Sequence, residues 1–192
     1  MSWCIYLTHP EVAIDPEVPV PQWGLSEIGR ERAQIAAGLD FASRIGAVVS
    51  SGETKAIETA QYFAARHNIS PQVRQDLHEN DRSATGFLPP AEFEAVADQF
   101  FADPATSVRG WERAADAQAR IVNGVKDVLT GIAPQTPVLF AGHGAAGTLL
   151  MCHLMGKEIS RSHDQKRGGS WYLFEKDWLA TQAAGDLSWI EV

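Results

Sequence analysis

Apolar residues recur along the chain in two alternating rhythms: short continuous runs, and stripes spaced three or four residues apart. The runs are Trp3–Thr8, Ile45–Ser51, Val138–Ala141 and Trp171–Phe174, with weaker ones at Pro71–Gln75 and Leu187–Val192. Short apolar runs bounded by turn signals read as buried strands. The stripes read as helices. Ser26 is an N-cap for Ile28, Ala33, Ile35, Ala36 and Leu39, and Gly38 weakens the last turn. Further helices span Glu53–His67, Ala91–Phe101 behind Pro89-Pro90, Trp111–Leu129 and Thr148–Met155; the longest runs through Trp111, Ala114, Ala115, Ile121, Val125 and Val128. Pro16, Pro19 and Pro21 make Val12–Pro21 a loop, and the polar stretch 160–169 is another. Strands alternating with helices point to the α/β class.

Several element ends carry reactive groups. The first strand stops on His9-Pro10, and the proline holds His9 extended at the strand end. In open α/β sheets ligands bind in the crevice beyond the carboxyl ends of the strands, where such an imidazole is well placed. The strand Val138–Ala141 runs into Gly142-His143-Gly144, whose small residues let a ligand approach the backbone while the helix behind offers free amides. Ile45–Ser51 passes through Gly52 into a helix with Lys55 in its first turn, where a cation opposes the helix dipole and an anion is favoured. Glu79 leaves the strand Pro71–Gln75 in a polar run and is in reach of the same crevice. Each has a structural alternative: a hydrogen-bonded strand-end histidine, an exposed first-turn lysine, a solvated turn, a tight glycine turn.

Composition narrows the partners. The 192 residues suit one domain with a core that needs no metal or disulfide staple. Lys+Arg 16 against Asp+Glu 24 gives a formal charge of −8, which argues against nucleic acid but leaves room for a small phosphorylated ligand in a local basic pocket. Cys4 and Cys152 read as small core residues in a reducing compartment, with their proximity left open. The N-terminus has no basic leader pattern and no apolar run approaches a membrane span, so the expected location is the cytoplasm, without a membrane partner. His67, His78, His153 and His163 lack metal-ligand spacing, and Cys-x-x-Cys is absent. Gly142-x-Gly144-x-x-Gly147 fits a dinucleotide-binding pattern, but where a second strand ending in an acidic residue should follow, the sequence is the polar Ser160–Lys166.

Taken together, strand-His9, the segment Leu25–Ala33, Ser50–Ala60 with Lys55, Leu77-His78-Glu79 and Ala141–Gly144 resemble, in order and spacing, the histidine phosphatase or phosphoglycerate mutase-like superfamily. The resemblance implies a three-layer α/β/α sandwich with a mostly parallel central sheet, and a small lid formed by residues 80–110. It implies a phosphoric monoester hydrolase with His9 as the nucleophile, His143 stabilising the transferring phosphoryl group and Glu79 protonating the leaving oxygen. Thr8, Lys55 and Gly144 fall at substrate-binding positions; no metal or other cofactor is implied, and the partner is a small phosphoester. Because the insertion is short, a phosphatase is favoured over a mutase. The departures define an alternative. Thr8-His9-Pro10 stands where the family usually reads Arg-His-Gly, and Lys55 where it usually has arginine. Exchanging two bidentate forks for a hydroxyl and a point charge also fits a weak or non-catalytic phosphate-ligand binder.

Overall fold

Trp3–Thr8 forms β1, a strand with cover on both faces, in the computed structural model, which describes residues 3–192. Successive side chains of a strand point to opposite faces. Cys4 and Tyr6 accordingly join one core cluster, with Val125 and Leu150, and Ile5 and Leu7 join another, with Ala36, Ala60 and Phe63. The helices α1 (Glu27–Ala37) and α2 (Thr54–His67) cover the Ile5 face, while α4 (Ala114–Thr130) and α5 (Gly144–Leu154) cover the Tyr6 face. The remaining strands are β2 (Ala47–Ser51), β3 (Gln72–Arg74), β4 (Val138–Gly142), β5 (Ser170–Glu175) and β6 (Ile190–Glu191), in the order β3-β2-β4-β1-β5-β6. The first four of that order are parallel and the last two antiparallel, so the fold is the expected α/β sandwich with a mostly parallel sheet.

Register fixes what meets at the carboxyl edge. Thr8 is opposite Gly142 and Ser50 opposite Ala141, which brings the ends of β1, β4 and β2 side by side. The amide of His9 completes the ladder by donating to the Gly142 carbonyl at 2.9 Å. Beyond the edge, α3 (Pro90–Ala102) packs Val96, Phe100 and Phe101 against Trp111 and Leu149.

Some expected details differ. Ile28 and Ile35 do not face the core; both are more than half exposed, and α1 buries Gly29, Ala33, Ala36 and Ala37 instead. The reason is close approach: a Cβ on Gly29 would lie 2.0 Å from the Glu11 carbonyl oxygen, so the helix turns its small residues inward. Trp111 is buried ahead of α4 rather than inside it, Ala115 is exposed, and α5 begins at Gly144, four residues earlier than its apolar run suggests. The chain after α5 returns in β5, antiparallel to β1, so Gly142–Gly147 is not followed by the parallel strand of a dinucleotide unit. Among the described residues no helix is long and apolar enough to cross a membrane.

Candidate active site

His9 leaves β1 with its ring Nδ1 2.8 Å from the Pro10 carbonyl oxygen. A carbonyl can only accept, so Nδ1 carries the proton and Nε2 keeps its lone pair. Burial, reinforced by the charge of Lys55, pushes the imidazole down to about 4, which leaves it neutral at physiological pH. The ring stands 5.3 Å, centroid to centroid, from that of His143. His143 is fully buried, and burial holds its pKa well below the usual range. Tyr6 fixes its backbone: the phenol accepts from the His143 amide at 3.2 Å and donates to its carbonyl at 3.3 Å. That bond needs a glycine next door, because a Cβ on Gly142 would lie 2.3 Å from the Tyr6 oxygen. Nε2 of His143 is 2.6 Å from Ser51 Oγ and 3.5 Å from Glu53 Oε1.

Glu79 reaches the start of α5 from the loop after β3. Its carboxylate accepts from the amides of Ala146 at 2.9 Å and Ala145 at 3.2 Å. The free amides expected behind His143 are therefore already engaged by Glu79. Burial raises its pKa, and the nearby Arg82 charge and the Ala146 amide do not cancel that effect. Arg120, on α4, fixes the segment from below by donating to the carbonyls of Asp76, His78 and Glu79 at 3.0, 2.9 and 3.2 Å, and to Glu112 at 2.7 Å.

Two sequence-predicted binding residues are turned away. Thr8 is buried, and its hydroxyl accepts from the amides of Gly169 and Ser170 at 3.0 and 3.1 Å while donating to Gln165 Oε1 at 2.7 Å. Lys55 is buried as well, bonded to Glu53 Oε2 at 2.5 Å and the Val20 carbonyl at 2.9 Å. Burial opposes ionisation of Glu53, but His143 and Lys55 outweigh it and hold the carboxyl down at about 2. Glu53 also accepts from the Glu79 amide at 2.9 Å. An acid is thus built into the floor beside His143.

Two cavities open onto this edge. One of about 640 Å³ is lined by His9, Arg32, Glu79, Asn80, Arg82 and Gly144 and walled by α3. The other, about 690 Å³, lies under the proline-rich loop, with Val18, Val20 and Phe87 among its walls. Glu79, Asn80 and Arg82 border both. Arg82 rests over the Phe93 ring at 4.9 Å. The residues that sequence reasoning missed are Glu53, Arg82, Arg120 and Arg32; of these only Glu53, two residues from Lys55, carries a sequence signal. Among the described residues no group of three or more His, Cys, Asp or Glu side chains is arranged to hold a metal ion. His67, His78 and His153 bond backbone carbonyls.

Solved structures share this architecture. A mycobacterial glucosyl-3-phosphoglycerate phosphatase superposes with a TM-score of 0.75 at 23% identity, over 90% of this chain and 89% of its own. Bacillus stearothermophilus YhfR gives 0.79 at 20% identity, over 100% and 98%. The Entamoeba histolytica phosphoserine phosphatase in complex with 3-phosphoglyceric acid gives 0.76 at 16% identity, over 100% and 98%. At these identities the likeness shows the fold. No curated protein matches the chain significantly by sequence. The sequence model of the histidine phosphatase superfamily (branch 1) matches residues 18–174, and the chain belongs to that superfamily.

Proposed function

We propose that this chain is a phosphoric monoester hydrolase that acts on a small phosphorylated metabolite through a phosphohistidine at His9. The observation that carries the reading is the pairing, on the wall of one cavity, of a neutral imidazole with its tautomer fixed and a buried carboxyl of raised pKa. Nε2 of His9 attacks phosphorus, and the bond to the ester oxygen breaks with its electron pair going to that oxygen. Glu79 in its protonated form gives the leaving oxygen a proton, so an alcohol departs. Water then attacks the phosphohistidine, Glu79 takes the proton it sheds, and the P–N electron pair returns to Nε2 as phosphate leaves. Arg82 and His143 face the phosphoryl group during both transfers. Residues 80–110 act as a lid over the same cavity, and Gly144 lines it beside Gln165. Two of the similar structures are, by name, phosphatases of glucosyl-3-phosphoglycerate and of phosphoserine, which supports a small metabolite as the substrate class.

A second reading rests on a specific observation. The Glu53–Lys55 pair occupies both charges at the position where the family usually has arginine, which favours a weak or non-catalytic phosphate-ligand binder. A panel of small phosphoesters assayed for phosphate release, with His9→Ala as control, separates the two. Turnover lost in His9→Ala supports the hydrolase; phosphate affinity without turnover supports the binder.

A further inference from the structure

Arg32 projects from α1 toward the segment that follows the proposed nucleophile. The helix is drawn there by Gly29 against Glu11 and by the Ser26 amide, which donates to the Glu11 carbonyl at 3.0 Å. Three residues along from Gly29, Arg32 enters the cavity that His9, Glu79, Asn80 and Arg82 also line. Its guanidinium packs against Gly169. A Cβ added at Gly169, a residue at φ +80°, would lie 2.9 Å from Arg32 Nη2 and 3.4 Å from Pro10 Cβ. Gly169 also donates its amide to Thr8, so the guanidinium stands beside the position from which Thr8 has removed one.

The guanidinium is unpaired. Nε and Nη2 are both buried, and neither has a hydrogen-bond partner among the described residues. Of the other arginines lining the cavity, Arg161 is held by Glu94 and Asp98 and Arg167 by Glu191 at 3.1 Å, while Arg82 rests over the Phe93 ring. Glu11, the other acid near Arg32, accepts from Ser26 Oγ at 2.7 Å. A guanidinium has five donors in a fork that matches phosphate oxygens, and leaving buried donors unmet is costly. Arg32 and His9 line one cavity, so an anion bound at His9 has this fork on its wall.

We infer that Arg32 is a second phosphate-binding guanidinium of this site beside Arg82, supplied from α1 in place of the arginine that relatives carry before the nucleophilic histidine. The inference deepens the phosphatase reading and rests on it for the anion's identity. It gives this chain a phosphate fork on an element different from the one that bears the nucleophile, and it explains how Thr8 is free to act as a structural hydroxyl. Arg32 is then a substrate-binding residue.

Calorimetric titration with inorganic phosphate tests this without requiring turnover. Arg32→Gln should weaken phosphate binding at least tenfold. Arg32→Lys, which keeps the stem and the charge but loses the fork, should weaken it several-fold and serves as the comparison if Arg32→Gln melts early. Arg30→Gln, on the exposed side of the same helix, should match the wild type. Wild-type phosphate affinity in both Arg32 variants, equal loss in Arg30→Gln, or no phosphate binding by the wild type overturns the inference. Turnover of phosphoesters that Arg32→Gln leaves untouched sinks Arg32 and spares the phosphatase reading. Phosphate binding abolished by Arg32→Gln in a chain without turnover does the reverse.

Discussion

Glu53→Gln should move stability and phosphate affinity in opposite directions. The carboxylate bonds Lys55 at 2.5 Å and the Glu79 amide at 2.9 Å, with both side chains of the ion pair almost wholly buried. Its fall from 4.5 to about 2 corresponds to roughly 3 kcal/mol at about 1.4 kcal/mol per pH unit. That agrees with the cost of about 3–5 kcal/mol for removing one partner of a buried pair. For a domain of this size each kcal/mol lowers the melting midpoint by about 2–4 °C, so a loss of roughly 6–12 °C is expected near neutral pH. The folded pKa lies below the unfolded one, so this stability is fully present above about pH 4.5 and is lost as pH falls toward 2. Wild type and variant should therefore converge on acidification. Affinity should rise because the carboxylate lies 3.5 Å from His143 Nε2. A phosphate oxygen within about 5 Å of it would be repelled by roughly 3 kcal/mol at an effective dielectric of about 20, and less where water enters. A gain of about tenfold or more in phosphate affinity is expected. Thermal melts across pH and phosphate calorimetry on the same two proteins give both numbers. Loss of stability together with loss of phosphate affinity would mean that Glu53 supports the anion site, and the electrostatic reasoning would fail.

Glu79→Gln should slow turnover by about 10²–10⁴ for esters with poor leaving groups and much less for activated esters such as p-nitrophenyl phosphate; uniform loss across leaving groups would remove Glu79 as the acid. Thr8→Ala strips the acceptor from the amides of Gly169 and Ser170. Denaturant unfolding should show a loss of about 1–3 kcal/mol, whereas a phosphate-affinity loss with unchanged stability would restore Thr8 as a ligand. Gly29→Ala sets a methyl 2.0 Å from a backbone carbonyl, a distance only a shift of α1 can relieve. It should cost about 1–3 kcal/mol or more and weaken phosphate binding through Arg32, and a neutral outcome would show that α1 is not pinned there.

The sheet and the meeting of His9, His143 and Glu79 were legible because they follow from local signals. Apolar runs mark the strands, each run ends on a residue of distinct chemistry, and parallel order brings those ends to one edge. The orientation of α1 was not legible. Ile28 and Ile35 suggest the opposite face, and only the contact of Gly29 with Glu11, eighteen residues earlier, turns the helix and delivers Arg32. Lys55 was legible as a cation in an unfavourable first turn, but its burial against Glu53 was not, since the pattern offered an exposed lysine equally well. Thr8 looked like a pocket residue from its place beside His9. Strand alternation turns it instead toward the amides that open β5, a pairing separated by more than 160 residues. Arg82 and Arg120 sit in polar or mixed stretches where pattern assigns no partner; Arg82 acts on Glu79 through its charge from three residues away, and long-range packing brings Arg120 to the Glu79 carbonyl.

The proposed hydrolysis stands or falls on a covalent bond between His9 and phosphorus. Rapid quenching of the protein with a ³²P-labelled phosphoester, followed by acid and alkali treatment and peptide mapping, tests it directly. The expected product is a phosphoramidate on the peptide containing His9, labile in acid, stable in alkali and absent from His9→Ala. Label retained in His9→Ala, or surviving acid as a serine ester would, contradicts the account.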